Sequence, residues 1–320
     1  MSKYRKRLPL AQDRLFMTDG GMETTFIFHQ GIDLPELAAF HLLKDEAGTE
    51  VLRAYYVLYA RMARSHEMGF VLESPTWRAN PDWAAKLGYD ARALADANRK
   101  GVGLMLEIRA AFERPETPFV VSGNIGPRGD GYFPDRRMSV AGAKAYHATQ
   151  IETFAQTDAD LVSAFTLNYS EEAIGVAAAA QDCAIPAVIS FTVETDGRLP
   201  SGEPLADAIR RTDDATGGFP AYYMINCAHP THFERVLRGG GDWLGRLRGL
   251  RANSSRRSHA ELDGAPELDT GDPEALGAEY RELRALLPRL AVVGGCCGTD
   301  HRHVDAICRR LREPVLGATP

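Results

Sequence analysis

The sequence predicts an α/β protein built as a single (β/α)8 TIM barrel. Three observations lead there. Short β-branched or apolar runs alternate with amphipathic, alanine-rich stretches along the 320 residues, without a repeat of fixed length. The alternation occurs eight times, and eight parallel β/α units suggest closure. No Pro/Gly-rich linker divides the chain. About 150 residues per domain would suggest two domains, but α/β barrels of this length fold as one. The expectation is one domain over 1–320, with its core at about 15–310. An open doubly wound sheet is the alternative arrangement.

The elements follow in order. Leu15 to Thr18 reads as the first strand, stopping at Asp19-Gly20-Gly21. A helix is expected from about Lys44 to His66, where Val51, Leu52, Tyr55, Leu58, Tyr59 and Met62 recur at helical spacing. Phe70 to Leu72 is the second strand, ending at Glu73; helices at about 82–86 and 91–112 come next. Phe119 to Ser122 is the third strand, ending in Gly123-Asn124-Ile125-Gly126-Pro127, and a helix follows at about 140–158. Leu161 to Phe165 is the fourth strand; the helix after it, Ser170 to Cys183, opens with Glu171 and Glu172, which suit the helix dipole. Ala187 to Thr192 is the fifth strand, with a helix at 205–212. Ala221 to Ile225 is the sixth, ending in Asn226-Cys227, with a short helix at 231–237. Leu247 to Ala252 is a weak seventh strand, followed by a polar loop at roughly 253–273 and a helix at 274–287. Leu290 to Val293 is the eighth, ending in Gly294-Gly295-Cys296-Cys297-Gly298, and the helix 301–312 follows it.

Composition narrows the class of function. Apolar residues at 44% and charged residues at 25% fit a soluble globular chain, not a collagen-like, disordered or membrane-embedded one. A net charge of −6 lacks the basic footprint of nucleic-acid binding. No apolar stretch of signal-peptide length follows the basic start. The longest small and apolar run, Ala173 to Ala180, has eight residues, against roughly 20 for a membrane span. A cytoplasmic protein with reduced thiols is expected. Five cysteines, an odd number in a long chain, do not suggest a secreted disulfide framework.

Barrel enzymes carry their chemistry at the C-terminal ends of the strands. Cys227, Cys296 and Cys297 all fall there. Thiolates so placed suggest a soft metal, most plausibly zinc. Gly294, Gly295 and Gly298 let the backbone bend so that adjacent cysteines reach one ion. Three protein ligands leave one tetrahedral position open, as in a catalytic site. Such a site can bind a substrate thiol and hold it deprotonated, lowering a pKa that starts near ~8.5. Cys183 and Cys308, on predicted helices, read as packing. His229, His301 and His303 lie near the thiols in sequence as alternative ligands, the last two reading better as surface or supporting residues. No Gly-x-Gly-x-x-Gly loop opens a helix, which argues against a Rossmann-type donor site.

With these segments in place, the chain resembles the homocysteine S-methyltransferase family. Asp19-Gly20-Gly21, Gly123-Asn124-Ile125-Gly126-Pro127, Asn226-Cys227 and Gly294-Gly295-Cys296-Cys297-Gly298-Thr299 carry the resemblance over about 15–310. It implies a barrel methyltransferase with zinc held by Cys227, Cys296 and Cys297 and homocysteine as acceptor, giving methionine. It implies that Asp19 helps hold the substrate ammonium and that the backbone of Gly20 and Gly21 receives the carboxylate. Glu73, Phe165 and Asn226 complete the substrate-binding set. The donor implied is a small sulfonium such as S-methylmethionine or S-adenosylmethionine, or a separate corrinoid protein. A monomer or simple dimer is expected.

Two segments depart from the family pattern. The fourth strand commonly ends in Phe-Glu-Thr, whose glutamate grips the ammonium; this chain reads Ala164-Phe165-Thr166. Glu73 or Glu194 then supplies the charge, or the acceptor is another thiol. The seventh strand ends in Arg251-Ala252-Asn253-Ser254-Ser255 where tyrosine-proline-asparagine is common. Glu261 and Glu267 could approach a cationic donor, and the stretch Arg246, Arg248, Arg251, Arg256, Arg257 reads as a solvated face. The rival readings are a barrel lyase or aldolase with incidental cysteines, and a zinc-binding homologue without turnover.

Overall fold

In the computed structural model, which describes residues 1–10, 14–263 and 267–313, eight strands form a closed parallel barrel. They are β1 (Phe16–Met17), β2 (Gly69–Glu73), β3 (Phe119–Ile125), β4 (Leu161–Leu167), β5 (Ala187–Phe191), β6 (Tyr222–Asn226), β7 (Leu247–Ala252) and β8 (Val292–Gly295). Each pairs with the next, and β8 returns to β1 with Phe16 opposite Val292. The helices around it are α1 (Glu46–Ser65), α2 (Pro81–Lys86), α3 (Ala91–Phe112), α4 (Val140–Ala155), α5 (Ser170–Asp182), α6 (Leu205–Thr216), α7 (Pro230–Arg238), α8 (His259–Asp263), α9 (Pro273–Leu286) and α10 (His301–Arg312).

The strands read as continuous apolar runs because both faces are covered. Phe16, Val71, Val120, Leu161, Val188, Tyr222 and Val292 fill the barrel interior. Their neighbours Met17, Phe70, Phe119, Val162 and Val293 pack outward under the helices. Helix starts are capped locally: the side chains of Asp45, Asp90, Ser139 and Asp272 accept from first-turn N–H groups. Among the described residues no helix is long and apolar enough to cross a membrane.

Three differences from the sequence expectation have physical causes. β3, β4 and β8 each run two or three residues further. Glycine marks a strand end in a propensity reading, but Gly294 and Gly295 continue β8 because a side chain there would overlap Thr18 and Thr299. Residues 24–44, which carry no clear period, form a π-helical turn (Thr24–His29) and 3₁₀ turns (Pro35–Leu37, Ala39–Lys44). The polar loop at 253–273 contains the short α8, while 264–266 lie outside the described residues. Cys308 is buried and Cys183 partly so, as expected of packing residues.

The close approach at β8 predicts a contrast between two substitutions. Gly294→Ala forces a Cβ into Thr18 and lowers stability by about 1–3 kcal/mol. Gly103→Ala, in α3 with nothing within 4 Å of the new Cβ, raises it by about 0.5–1 kcal/mol. Urea midpoints of the two variants check the opposite signs.

Candidate active site at the barrel mouth

The register brings the ends of β1, β2, β4, β6, β7 and β8 around one cavity of about 250 Å³. Cys227 directly follows β6, and Cys296 and Cys297 directly follow β8. Their three sulfurs lie within 4.8 Å of one another. Cys227 Sγ is 4.0 Å from Cys297 Sγ, and the Cys227 and Cys296 sulfurs are joined as a disulfide. Thiolates at ~2.3 Å from a tetrahedral zinc stand about 3.8 Å apart. The cluster therefore fits zinc once the joined pair is present as thiolates. The histidines lie elsewhere. His229 caps α7 with its Nε2 3.2 Å from Glu279, and burial first, then Arg256, lowers its pKa to about 3. His303 is buried in the cap of α10 with Asp300, and His301 is exposed.

Cys227 adopts φ +54° and Thr166 φ +62°, both left-handed and unusual for side-chain-bearing residues. One amide serves both turns. Asn226 Oδ1 accepts from the Thr166 N–H at 2.9 Å and from Ser190 Oγ at 2.6 Å. Its Nδ2 donates to Thr166 Oγ1 at 2.9 Å. Asn226 lines the cavity, yet its hydrogen bonds go to the chain and hold the strand end from which Cys227 projects.

All the residues expected from sequence line this cavity: Asp19, Gly20, Gly21, Glu73, Phe165 and Asn226 together with the three cysteines. Their partners differ from the expectation. The Asp19 carboxylate pairs with Arg251 Nη2 at 2.7 Å and accepts from Tyr55 Oη at 2.9 Å. Arg251 also donates to Gly295 O at 3.0 Å and to Gly20 O at 3.2 Å. This corrects the reading of Arg251 as part of a solvated face. It is buried because its position on β7 faces the mouth, and its guanidinium lies 5.2 Å from the centre of the Phe165 ring. The Gly21 N–H donates to Thr299, so its hydrogen bond is made within the chain. Glu73 is buried, accepts from Ser163 Oγ at 3.2 Å, and has its pKa raised to about 7 by burial, against the pull of Arg251.

Of the other acids suggested by the sequence, Glu194, Glu261 and Glu267 are absent from the cavity lining. Glu261 instead accepts from Ser258. The lining includes residues that sequence reasoning passed over: Glu23, Trp77, Arg78, Asp130 and Tyr132. Glu23 follows Asp19-Gly20-Gly21 closely and Arg78 follows the end of β2 closely, so nearness to a strand end was the available signal. Tyr132 comes from the long loop after β3; its Oη is 3.9 Å from Cys297 Sγ and its ring stacks on His259 at 4.1 Å. Of the three thiols Cys227 is buried, Cys296 half-buried and Cys297 exposed.

Two outcomes follow. Asn226→Ala frees two left-handed turns and lowers stability by about 1–3 kcal/mol, measured by urea unfolding, with weaker metal retention against a chelator. For Glu73, a folded pKa raised from 4.5 to about 7 adds stability that is complete below pH 4.5 and is lost as pH rises through 7. In the metal-free protein, Glu73→Gln therefore matches the parent near pH 4. At pH 8 it exceeds the parent by on the order of 1–3 kcal/mol. Equal stability curves across that range would remove the burial assignment.

Comparison with known proteins identifies the lineage. The family model described as homocysteine S-methyltransferase matches residues 16–311. Homocysteine S-methyltransferase 4 of Zea mays is 24% identical, covering 95% of this chain and 91% of its own length. Homocysteine S-methyltransferase 1 of Arabidopsis thaliana is 22% identical, covering 93% of each. Among solved structures, the homocysteine methyltransferase MmuM from Escherichia coli shares the fold. Its oxidized form has TM-score 0.73 at 22% identity, covering 94% of this chain and 97% of that one. Its metallated form has TM-score 0.72 at 21% identity, with the same coverage. With a barrel of this topology, a thiol cluster at its mouth and a match spanning nearly the whole sequence, the chain belongs to the homocysteine S-methyltransferase family of enzymes.

Proposed function

We propose that the protein is a zinc-dependent methyltransferase that moves a methyl group from a small sulfonium donor, S-methylmethionine or S-adenosylmethionine, to the sulfur of homocysteine. The observation that carries this reading is the set of three cysteine sulfurs within 4.8 Å of one another in the lining of the cavity at the barrel mouth. Zinc held by Cys227, Cys296 and Cys297 would supply an open position for the acceptor sulfur and keep that thiol deprotonated near neutral pH. Such chemistry requires reduced thiols, which fits a cytoplasmic setting.

The chain's own residues account for the rest. Trp77, Tyr132 and Phe165 line the cavity and offer ring faces to an onium methyl group. The Arg251–Asp19 pair, closed at 2.7 Å, fixes the end of β1 against β7. Asn226 sets the backbone that presents Cys227. The acceptor sulfur attacks the donor methyl carbon in line, and the donor sulfur leaves with the electron pair of the broken bond as a neutral thioether. Opposite charges cancel in that step, so a cavity that excludes water strengthens the attraction between the reactants. Holding them side by side supplies much of the remaining acceleration.

The test pairs metal analysis with activity. The parent binds about one zinc per chain and Cys296→Ala less than about a tenth of that. Methyl transfer from S-methylmethionine to homocysteine falls to background in the variant. Equal zinc in the two proteins would overturn the ligand assignment.

A further inference from the structure

Two charged side chains of opposite sign, Glu23 and Arg78, face the cavity without pairing. Among the described residues neither forms an ion pair, with each other or with another group. Arg78 is only 6% exposed. Its flat faces lie against Trp77 at 4.2 Å and Trp83 at 3.7 Å. The edge is left thinly bonded: Nη1 reaches Gly129 O at 3.4 Å and the buried Nε has no partner. A buried guanidinium without a carboxylate is costly, and natural sites rarely keep one without use. Burial lowers its pKa from the ordinary value, while Asp130, Tyr132 and Glu23 oppose that.

Glu23 stands in the complementary position. Burial raises its carboxyl above the ordinary range; its own backbone N–H draws it down, Asp19 raises it, and Arg251 and Arg78 draw it down. Glu23 lines the same cavity as the three cysteines. Of the other acids lining the cavity, Asp19 pairs with Arg251 and accepts from Tyr55, Asp130 accepts from the Tyr132 and Phe133 N–H groups, and Glu73 accepts from Ser163 through one oxygen while its buried Oε2 has no partner. A carboxylate and a guanidinium thus line one cavity with no ion pair between them. A ligand with an ammonium and a carboxylate matches them with charges reversed.

We propose that Glu23 and Arg78 form a clamp for a zwitterionic α-amino acid, Glu23 taking the ammonium and Arg78 the carboxylate. Glu23 stands in for the carboxylate that Phe165 does not supply. This rests on the proposed function, in which the acceptor homocysteine and the donor S-methylmethionine both carry that zwitterion.

The test is calorimetric binding to zinc-loaded protein, with zinc content and melting temperature confirming that each variant is folded. The ligands are L-homocysteine, 4-mercaptobutanoate, which lacks the ammonium, and 3-aminopropane-1-thiol, which lacks the carboxylate. The parent prefers homocysteine to either by about ten- to a hundred-fold, the scale of a charge-assisted bond. Glu23→Gln loses the preference over 4-mercaptobutanoate while binding that ligand within about two-fold of the parent. Arg78→Gln loses the preference over 3-aminopropane-1-thiol in the same way. The same variants are titrated with S-methylmethionine and with 4-(dimethylsulfonio)butanoate, its analogue without an ammonium. A selective loss on homocysteine assigns the clamp to the acceptor, and one on S-methylmethionine assigns it to the donor. Folded variants that keep every preference, or that weaken all ligands equally, overturn the proposal. Selective binding without methyl transfer in the parent would leave the clamp standing and sink the proposed function instead.

Discussion

Everything at the mouth depends on how closely β8 can approach β1. The first strand has only two residues, so the seam relies on a few backbone bonds. Thr18 N donates to Val293 O at 2.8 Å and Gly295 N to Asp19 O at 3.0 Å. Beyond the strands, Gly21 N reaches Thr299 O at 3.0 Å and Gly298 N reaches Thr24 Oγ1 at 2.9 Å. A side chain at 294 would push β8 away from the end of β1, and one at 295 would overlap Thr299 in the turn that follows β8. With glycine there, the Asp19–Gly21 turn and the Cys296–Cys297 turn share one rim.

Charge organises the space beneath that rim. Arg251 is the central cation, with one carboxylate partner and two carbonyl acceptors. Taking a guanidinium out of water costs several kcal/mol unless its hydrogens find partners, and these contacts supply them. It also tempers Glu73, whose carboxyl would otherwise be raised further by burial. The result is a neutral inner pair at Asp19 and Arg251, with Glu23 and Arg78 as separate, unpaired charges facing the same cavity.

The barrel was legible because strand and helix periods differ and eight units repeat the change. Most boundaries fell within two residues of the pattern, since the strands are apolar runs such as Phe70 to Leu72 bounded by polar turns. The thiol cluster was legible because cysteines at strand ends and adjacent glycines are local signals. Partners that join distant segments were not. Arg251 resembles its surface neighbours in sequence, and only closure of the barrel sets it beside Asp19. The pairing of Asn226 with Thr166 is likewise invisible locally, because it joins residues 60 positions apart. Phe165 was visible as a departure, but the carboxylate proposed to compensate for it, Glu23, comes from a segment the pattern left undescribed.

The sulfur cluster draws on residues separated by about 70 positions, with one contributor before β7 and two after β8. On a ribosome the chain emerges one residue at a time. Cys227 is thus exposed to the solvent of the cell well before Cys296 and Cys297 have been made. No three-thiol site exists until β8 has left the exit tunnel and docked on β1. A metal held by all three thiols could therefore bind only after that point and could not template the earlier units. The nascent chain must reach that point on packing alone.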